Sequence, residues 1–141
     1  MKKLLHAVLL PAALAGGLAT AVPLPASASA TETFHVCYKN SDCRMGLAQG
    51  EINWSLPSSL PSVSGSVHSR TNRNYSTTVV FEGFNDQGDK VLSDSRTVAD
   101  GTKHFAFSLS RSWVYRIKIT VCQNFSDGQR CGNPENYSRQ T

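Results

Sequence analysis

The side chains best suited to chemistry in this sequence are four cysteines, which form an early pair and a late pair. Five residues separate Cys37 from Cys43, and eight separate Cys122 from Cys131. An even number of cysteines in a small exported chain is typical of disulfides, and four allow three connectivities. We favour the two local bonds, each closing a short polar loop. A zinc site is the alternative, but the sequence lacks the paired C-x-x-C spacing of such sites.

Three of the four histidines, His35, His68 and His104, lie after residue 30 and are the next candidates for chemistry. They fall on three different predicted strands, each among the polar residues of its strand. No two of them have the short spacing that lets one element hold a metal. We therefore interpret them as solvated strand residues. A site made from them requires that the fold bring them together with an acid.

Nucleophile and calcium motifs are weak. No serine lies in a G-x-S-x-G turn. Asn85-Asp86-Gln87-Gly88-Asp89 resembles part of a calcium loop but lacks its remaining ligands and the distal Glu. We interpret this segment as a polar hairpin turn. The sequence predicts no catalytic residue, no cofactor and no metal ion.

Three aromatic residues, Trp54, Trp113 and Tyr115, offer another kind of site. If exposed, they would form a platform on which sugar rings stack. Each lies within an alternating apolar stripe, however, and such stripes normally face the core. We therefore expect all three to be buried.

The elements that must position these residues are strands. Apolar and polar residues alternate with a period of two, and turn signals separate the runs. The runs cover residues 33–38, 48–56, 63–68, 75–84, 90–98, 104–109 and 113–121. Seven short strands of this kind predict an all-β fold, an antiparallel β-sandwich resembling immunoglobulin or fibronectin type III domains. A small barrel is the competing architecture. The inter-sheet disulfide of true immunoglobulin domains is not expected, because we place no cysteine in the middle of a strand.

Residues 1–30 have the order of a secretory signal peptide. A cationic start at Lys2 and Lys3 precedes an apolar stretch, and small-x-small cleavage sites follow at Ala28 and Ala30. We expect cleavage and release into the extracellular space, with no membrane attachment afterwards. Residues 31–141 then form a single domain, long enough for one modest core.

The charge of the chain gives little indication of a partner. The net charge is +4, and loss of Lys2 and Lys3 with the signal reduces it to +2. The remaining arginines are dispersed and form no basic run. This pattern argues against a nucleic-acid face. We expect a monomer.

The predicted domain resembles small secreted actinobacterial proteins of unassigned function. The likeness rests on Val36-Cys37, on Gly50-Glu51-Ile52-Asn53-Trp54, on the stretch from Arg116 to Cys122 and on Cys131-Gly132. This resemblance implies an exported β-sandwich with two local disulfides. It implies no catalytic residue.

Two classes of function follow from these observations. The first is a non-enzymatic secreted binding module that acts through its loops on an extracellular protein or a cell-surface polymer. A hydrolase inhibitor is one form of it, and it would need a rigid exposed loop at 40–42 or 127–130. The second class is a small secreted enzyme or toxin, which needs a histidine and an acid within hydrogen-bond reach.

Overall fold

The computed structural model describes residues 30–39, 42–54, 60–70, 74–111 and 113–140. Predicted signal residues 1–29 lie outside this part. The described chain forms nine strands: β1 (Ala30–Lys39), β2 (Asp42–Trp54), β3 (Ser62–Ser69), β4 (Tyr75–Phe84), β5 (Lys90–Val98), β6 (Gly101–Ser108), β7 (Arg116–Phe125), β8 (Gly128–Cys131) and β9 (Glu135–Ser138).

The strands form two antiparallel sheets that pack face to face. Sheet A has the order β1-β2-β3-β6, and sheet B has the order β5-β4-β7. The short strands β8 and β9 pair with the two halves of β7 and together act as its outer neighbour. The predicted all-β sandwich is confirmed, with two more strands than the seven expected. The strand order differs from that of immunoglobulin domains, in which the third strand leaves the sheet of the first two.

Phe81 on β4 lies at the centre of the core. Its ring makes edge contacts with Phe34, Phe105 and Phe107, all on sheet A, at centroid distances of 5.3–6.1 Å. Aromatic rings favour this tilted geometry because the positive edge of one ring meets the negative face of another. The aromatic cluster therefore joins the two sheets across the middle of the sandwich.

Both predicted disulfides are confirmed. Cys37 bonds Cys43 across the β1–β2 hairpin, and Cys122 bonds Cys131 across β7 and β8. The expectation that no cysteine lies in the middle of a strand is wrong for Cys122, which lies well inside β7. Each bond links neighbours within one sheet, so it closes a short loop and stabilises the fold by about 2–3 kcal/mol in the chain-entropy model.

Gln123 corrects a second expectation. The sequence predicts a polar loop from 123 to 130, but Gln123 is fully buried on the inner face of β7. Its Nε2 donates to the carbonyl of Met45 at 2.7 Å and to Oγ1 of Thr77 at 2.8 Å. Its amide donors are satisfied in this way, as buried polar groups require, whereas its Oε1 has no hydrogen-bond partner. Gln123 therefore joins the two sheets near the C-terminal end of β7. Phe84, which pairs with the first residue of β7, lies at the opposite end.

Gly46 gives Gln123 its space, and we predict a strong effect of Gly46→Ala. A Cβ at this position would overlap the amide nitrogen of Gln123 and lie 2.9 Å from Cγ2 of Thr77. Forcing Gln123 away breaks both hydrogen bonds, so the free energy of unfolding should fall by about 2–4 kcal/mol in urea titrations.

The control for this prediction is the Gly46→Ala, Gln123→Ala double variant. Removing the Gln123 side chain makes room for the new methyl group. The double variant should therefore be at least about 1 kcal/mol more stable than the sum of the single changes predicts. Simple additivity would show that the two residues do not compete for the same space.

Candidate functional site

The three histidines share the outer face of sheet A but do not converge. His35 and His104 lie at opposite edges of one cross-strand row, with Gln49 and Ser66 between them. Three inter-strand steps separate their backbones by about 14 Å. His68 lies in the next row, where its Nδ1 is 2.9 Å from Oγ1 of Thr102. The expectation that they are polar-face residues is confirmed.

A shallow depression of about 410 Å³ lies on this face. His35, Glu51 and His104 line it, together with Gly50 and Gly65. No hydrogen bond within the described part of the chain joins either histidine to Glu51. A general acid or base must reach its partner directly or through one water. The described residues of this face therefore make no direct hydrogen bond between a histidine and Glu51.

His35 also lies beside the first disulfide. Its Nδ1 is 3.9 Å from Sγ of Cys37, and the donor atoms of His35, Cys37 and Cys43 lie within 4.8 Å of one another. This is a spacing that a metal ion can use, but metals bind thiolates. Because the two sulfurs are bonded to each other, they offer no thiolate.

The segment from Asn85 to Asp89 forms the turn between β4 and β5. Oδ1 of Asn85 accepts a hydrogen bond from the backbone of Asp89 at 2.7 Å, and Gly88 has a positive φ of 88°. Asn85 thereby closes its own turn. The interpretation as a polar hairpin turn is confirmed.

The most distinctive surface lies at one end of the sandwich, and we call it the aromatic end. Trp113 is 48% exposed, Tyr115 is 38% exposed, and Leu60 is exposed nearby in the chain segment before β3. We define the aromatic end as these three residues with Arg111 and Arg139. The expectation that Trp113 and Tyr115 are buried is wrong, whereas Trp54 is buried as expected.

The error has a simple geometric cause. The alternating pattern in the sequence predicts that Trp113, Tyr115 and Ile117 lie on one face of a strand, but β7 begins only at Arg116. Before that point the fully buried residue is Val114. A shift of one residue moves side chains to the opposite face. Val114 therefore takes the inward position and its two aromatic neighbours face solvent.

Backbone hydrogen bonds hold this end in place. The amide of Tyr115 donates to the carbonyl of Phe84 at 2.9 Å, and the amide of Arg139 donates to the carbonyl of Tyr115 at 2.8 Å. The amide of Leu109 donates to the carbonyl of Pro61 at 2.7 Å. The backbone of the connection between β6 and β7 is thus hydrogen-bonded to three other segments. The exposed rings of Trp113 and Tyr115 belong to this connection.

Two arginines accompany the exposed rings. The guanidinium of Arg111 lies 5.3 Å from the ring centre of Trp113. That of Arg139 lies between Tyr115 and Trp54, at 5.8 and 5.9 Å from their ring centres. No described carboxylate forms an ion pair with either arginine. Arginine over an aromatic face is a cation–π arrangement.

The outer face of sheet B has a different electrostatic character. Glu82 lies between Lys118 and Lys90, with N–O distances of 2.5 and 3.1 Å. The hydrogen bond from Lys118 and the contact with Lys90 lower the pKa of Glu82, against the opposing effect of burial. Arg116 stacks on Phe84 and donates to Asn136 at 3.2 Å. Charges on this face are thus paired or otherwise engaged by neighbours.

The two loops considered for inhibition differ. Residues 40–41 of the first loop lie outside the described part, and Asp42 enters it only as the start of β2. The second loop is the exposed β7–β8 hairpin, in which Arg130 pairs with Asp127 at 2.6 Å and stacks on Phe125. The Cys122–Cys131 disulfide closes its base. Asp127-Gly128, with Gly128 at a φ of 137°, is the turn signal that identifies this hairpin in the sequence.

Comparisons with known proteins supply no further assignment. No protein-family model matches the chain, and neither the curated proteins nor the solved structures show a significant similarity. In the described residues there is no helix long and apolar enough to cross a membrane. The geometry of the aromatic end is therefore the main argument about function.

The lowered pKa of Glu82 predicts an acid dependence of stability. A carboxyl with a depressed pKa in the folded state stabilises the fold above its unfolded pKa and loses this contribution as the pH falls through the folded pKa. Glu82→Gln should therefore lose about 1 kcal/mol or less at pH 7 and almost nothing at pH 2. Urea unfolding at the two pH values measures the difference.

The matched control for Glu82 is Asp127→Asn. The Asp127–Arg130 pair is more than half exposed on both sides, so water screens it. Asp127→Asn should therefore change the pH dependence of stability less than Glu82→Gln does. An equal effect of the two variants would contradict a special role for Glu82.

Proposed function

We propose that this protein is a secreted, non-enzymatic binding module whose ligand is a cell-surface polysaccharide. The observation that carries the proposal is the exposure of Trp113 and Tyr115 on a supported end of the sandwich. The signal-like residues 1–30 and two disulfides support export. The spacing of His35, His68 and His104 favours binding over catalysis.

A sugar polymer suits this surface because aromatic rings and arginines match the apolar faces and the polar oxygens of a sugar. Ring faces can stack on the C–H face of a pyranose, and arginines can donate hydrogen bonds to its oxygens. A large exposed aromatic residue costs solubility unless it serves an interaction. Trp and Tyr also dominate protein interfaces, so a protein partner is the competing outcome.

We predict that Trp113→Ala lowers polysaccharide binding at least about tenfold, because stacking depends on the indole face. Binding is measured by co-sedimentation of the oxidised domain with cellulose, chitin, pectin and peptidoglycan. Tyr115→Ala should have a similar but smaller effect, since its ring is less exposed.

The matched control is Tyr75→Ala. Tyr75 packs on Phe125 with a centroid distance of 5.7 Å at the other end of β4, far from Trp113. This variant should bind as the unaltered domain does. Failure of the unaltered domain to bind any of the four polymers would contradict the polysaccharide proposal.

Hydrolase inhibition is the second candidate, and the β7–β8 hairpin favours it. The hairpin is exposed from Gly128 to Cys131, and a disulfide closes its base. Rigid presentation of such a loop lowers the entropy cost of binding. The hairpin is nevertheless paired with β7, whereas the aromatic end presents exposed rings. We therefore place this function second.

The inhibitor candidate predicts inhibition of trypsin or subtilisin by the oxidised domain. The Cys122→Ala, Cys131→Ala double variant removes the disulfide at the base of the hairpin. It should inhibit at least about tenfold more weakly, because the hairpin loses its rigid presentation. Residual protease activity against a chromogenic substrate measures this effect. Cleavage of the hairpin without inhibition would eliminate the candidate.

A further inference from the structure

Arg139 has an environment that the neutral-sugar chemistry of the aromatic end does not explain. Its Nε and Nη2 are shielded from solvent, and neither has a hydrogen-bond partner in the protein. Tyr115 and Trp54 flank the guanidinium, with ring centres 5.8 and 5.9 Å from its carbon. A desolvated positive group without hydrogen bonds is unfavourable, and chains normally pair such groups.

From this unpartnered edge we propose that the aromatic end recognises a carboxylate on its polysaccharide ligand, with Arg139 as the recognising residue. The inference rests on the proposed function and makes it specific: the ligand is an acidic polysaccharide that contains uronic acid residues. Nε and Nη2 are the adjacent donors on one edge of a guanidinium. That edge matches the two oxygens of a carboxylate in a bidentate pair.

The surroundings of Arg139 orient it for this task. Trp54 is buried and its indole nitrogen donates to Glu32 at 3.1 Å, so one ring beside Arg139 is fixed. Tyr115, on the other side, is 38% exposed, so ligand binding has to displace a partly exposed ring rather than a buried one. The carboxylate then meets the Nε–Nη2 edge of Arg139, while the sugar ring stacks on Trp113.

Charge complementarity favours an acidic polymer over a neutral one. Arg111 is the second arginine of this end, and no described carboxylate pairs with it or with Arg139. Two cations without an acidic partner attract a polyanion more strongly than a neutral chain.

The experiment compares two probes that differ only in the carboxylate: trigalacturonate and its methyl ester. They are titrated into the ¹⁵N-labelled oxidised domain, and the Trp113 indole N–H and the Arg139 Nε–H are followed by NMR. We expect both probes to shift the Trp113 signal. Trigalacturonate alone should shift the Arg139 signal, and it should bind about tenfold more tightly than the ester at low salt.

Arg139→Met tests the residue and Arg116→Met is its matched control. Both remove one positive charge and keep a long side chain, but Arg116 is hydrogen-bonded on the outer face of sheet B. The Arg139 variant should lose the preference for the acid over the ester, and the Arg116 variant should keep it. Because an unpaired guanidinium is replaced by an apolar group, Arg139→Met should also unfold at the same or a higher temperature.

Each other outcome contradicts a distinct statement. Equal binding of both probes, or a preference that survives Arg139→Met, overturns the carboxylate inference and leaves polysaccharide binding intact. A lower unfolding temperature for Arg139→Met, with the preference retained, identifies Arg139 as a structural residue. If neither probe shifts the Trp113 signal, the carboxylate inference is overturned, and the four-polymer assay decides the proposed function separately.

Discussion

The register of β7 is the constraint on which the rest of this structure depends. β7 is the central strand of sheet B, since β4 lies on one side and β8 and β9 on the other. Its inner face carries Ile117, Ile119, Val121 and Gln123, all fully buried. A shift of one residue would expose this entire stripe. The same register places Cys122 opposite Cys131 and Gln123 against Gly46.

The two ends of the sandwich meet different physical demands. At the end where β7 finishes, disulfides and the buried Gln123 hold the sheets and hairpins together. At the end where β7 begins, backbone hydrogen bonds carry the connection that presents Trp113 and Tyr115. Stability and the proposed ligand contact therefore depend on different residues. Substitutions at the aromatic end remove no contact of the opposite half of the core.

Much of the fold could be predicted because its signals are local. Strand alternation and turn residues depend on neighbours along the chain, and so do short disulfide loops. Strands β8 and β9 were not predicted, because these four-residue edge strands carry polar residues such as Gln129 and Asn136 and show no apolar alternation. Gln123 was placed in a loop because a polar residue belongs in a core only when distant partners satisfy it. Met45 and Thr77 are such partners, and no local pattern reveals them.

The candidate site shows the same division. By itself the sequence determined the class of fold and the absence of a recognisable catalytic motif, and it favoured the local cysteine pairs, because each depends on residue type and short spacing. Only the tertiary structure decided that Trp113 and Tyr115 face solvent and that Arg139 lies between two rings with an unpartnered edge. The physical reason is that exposure depends on where a strand joins its sheet. That point is set by pairing with Phe84 and Arg139, which are distant in the chain.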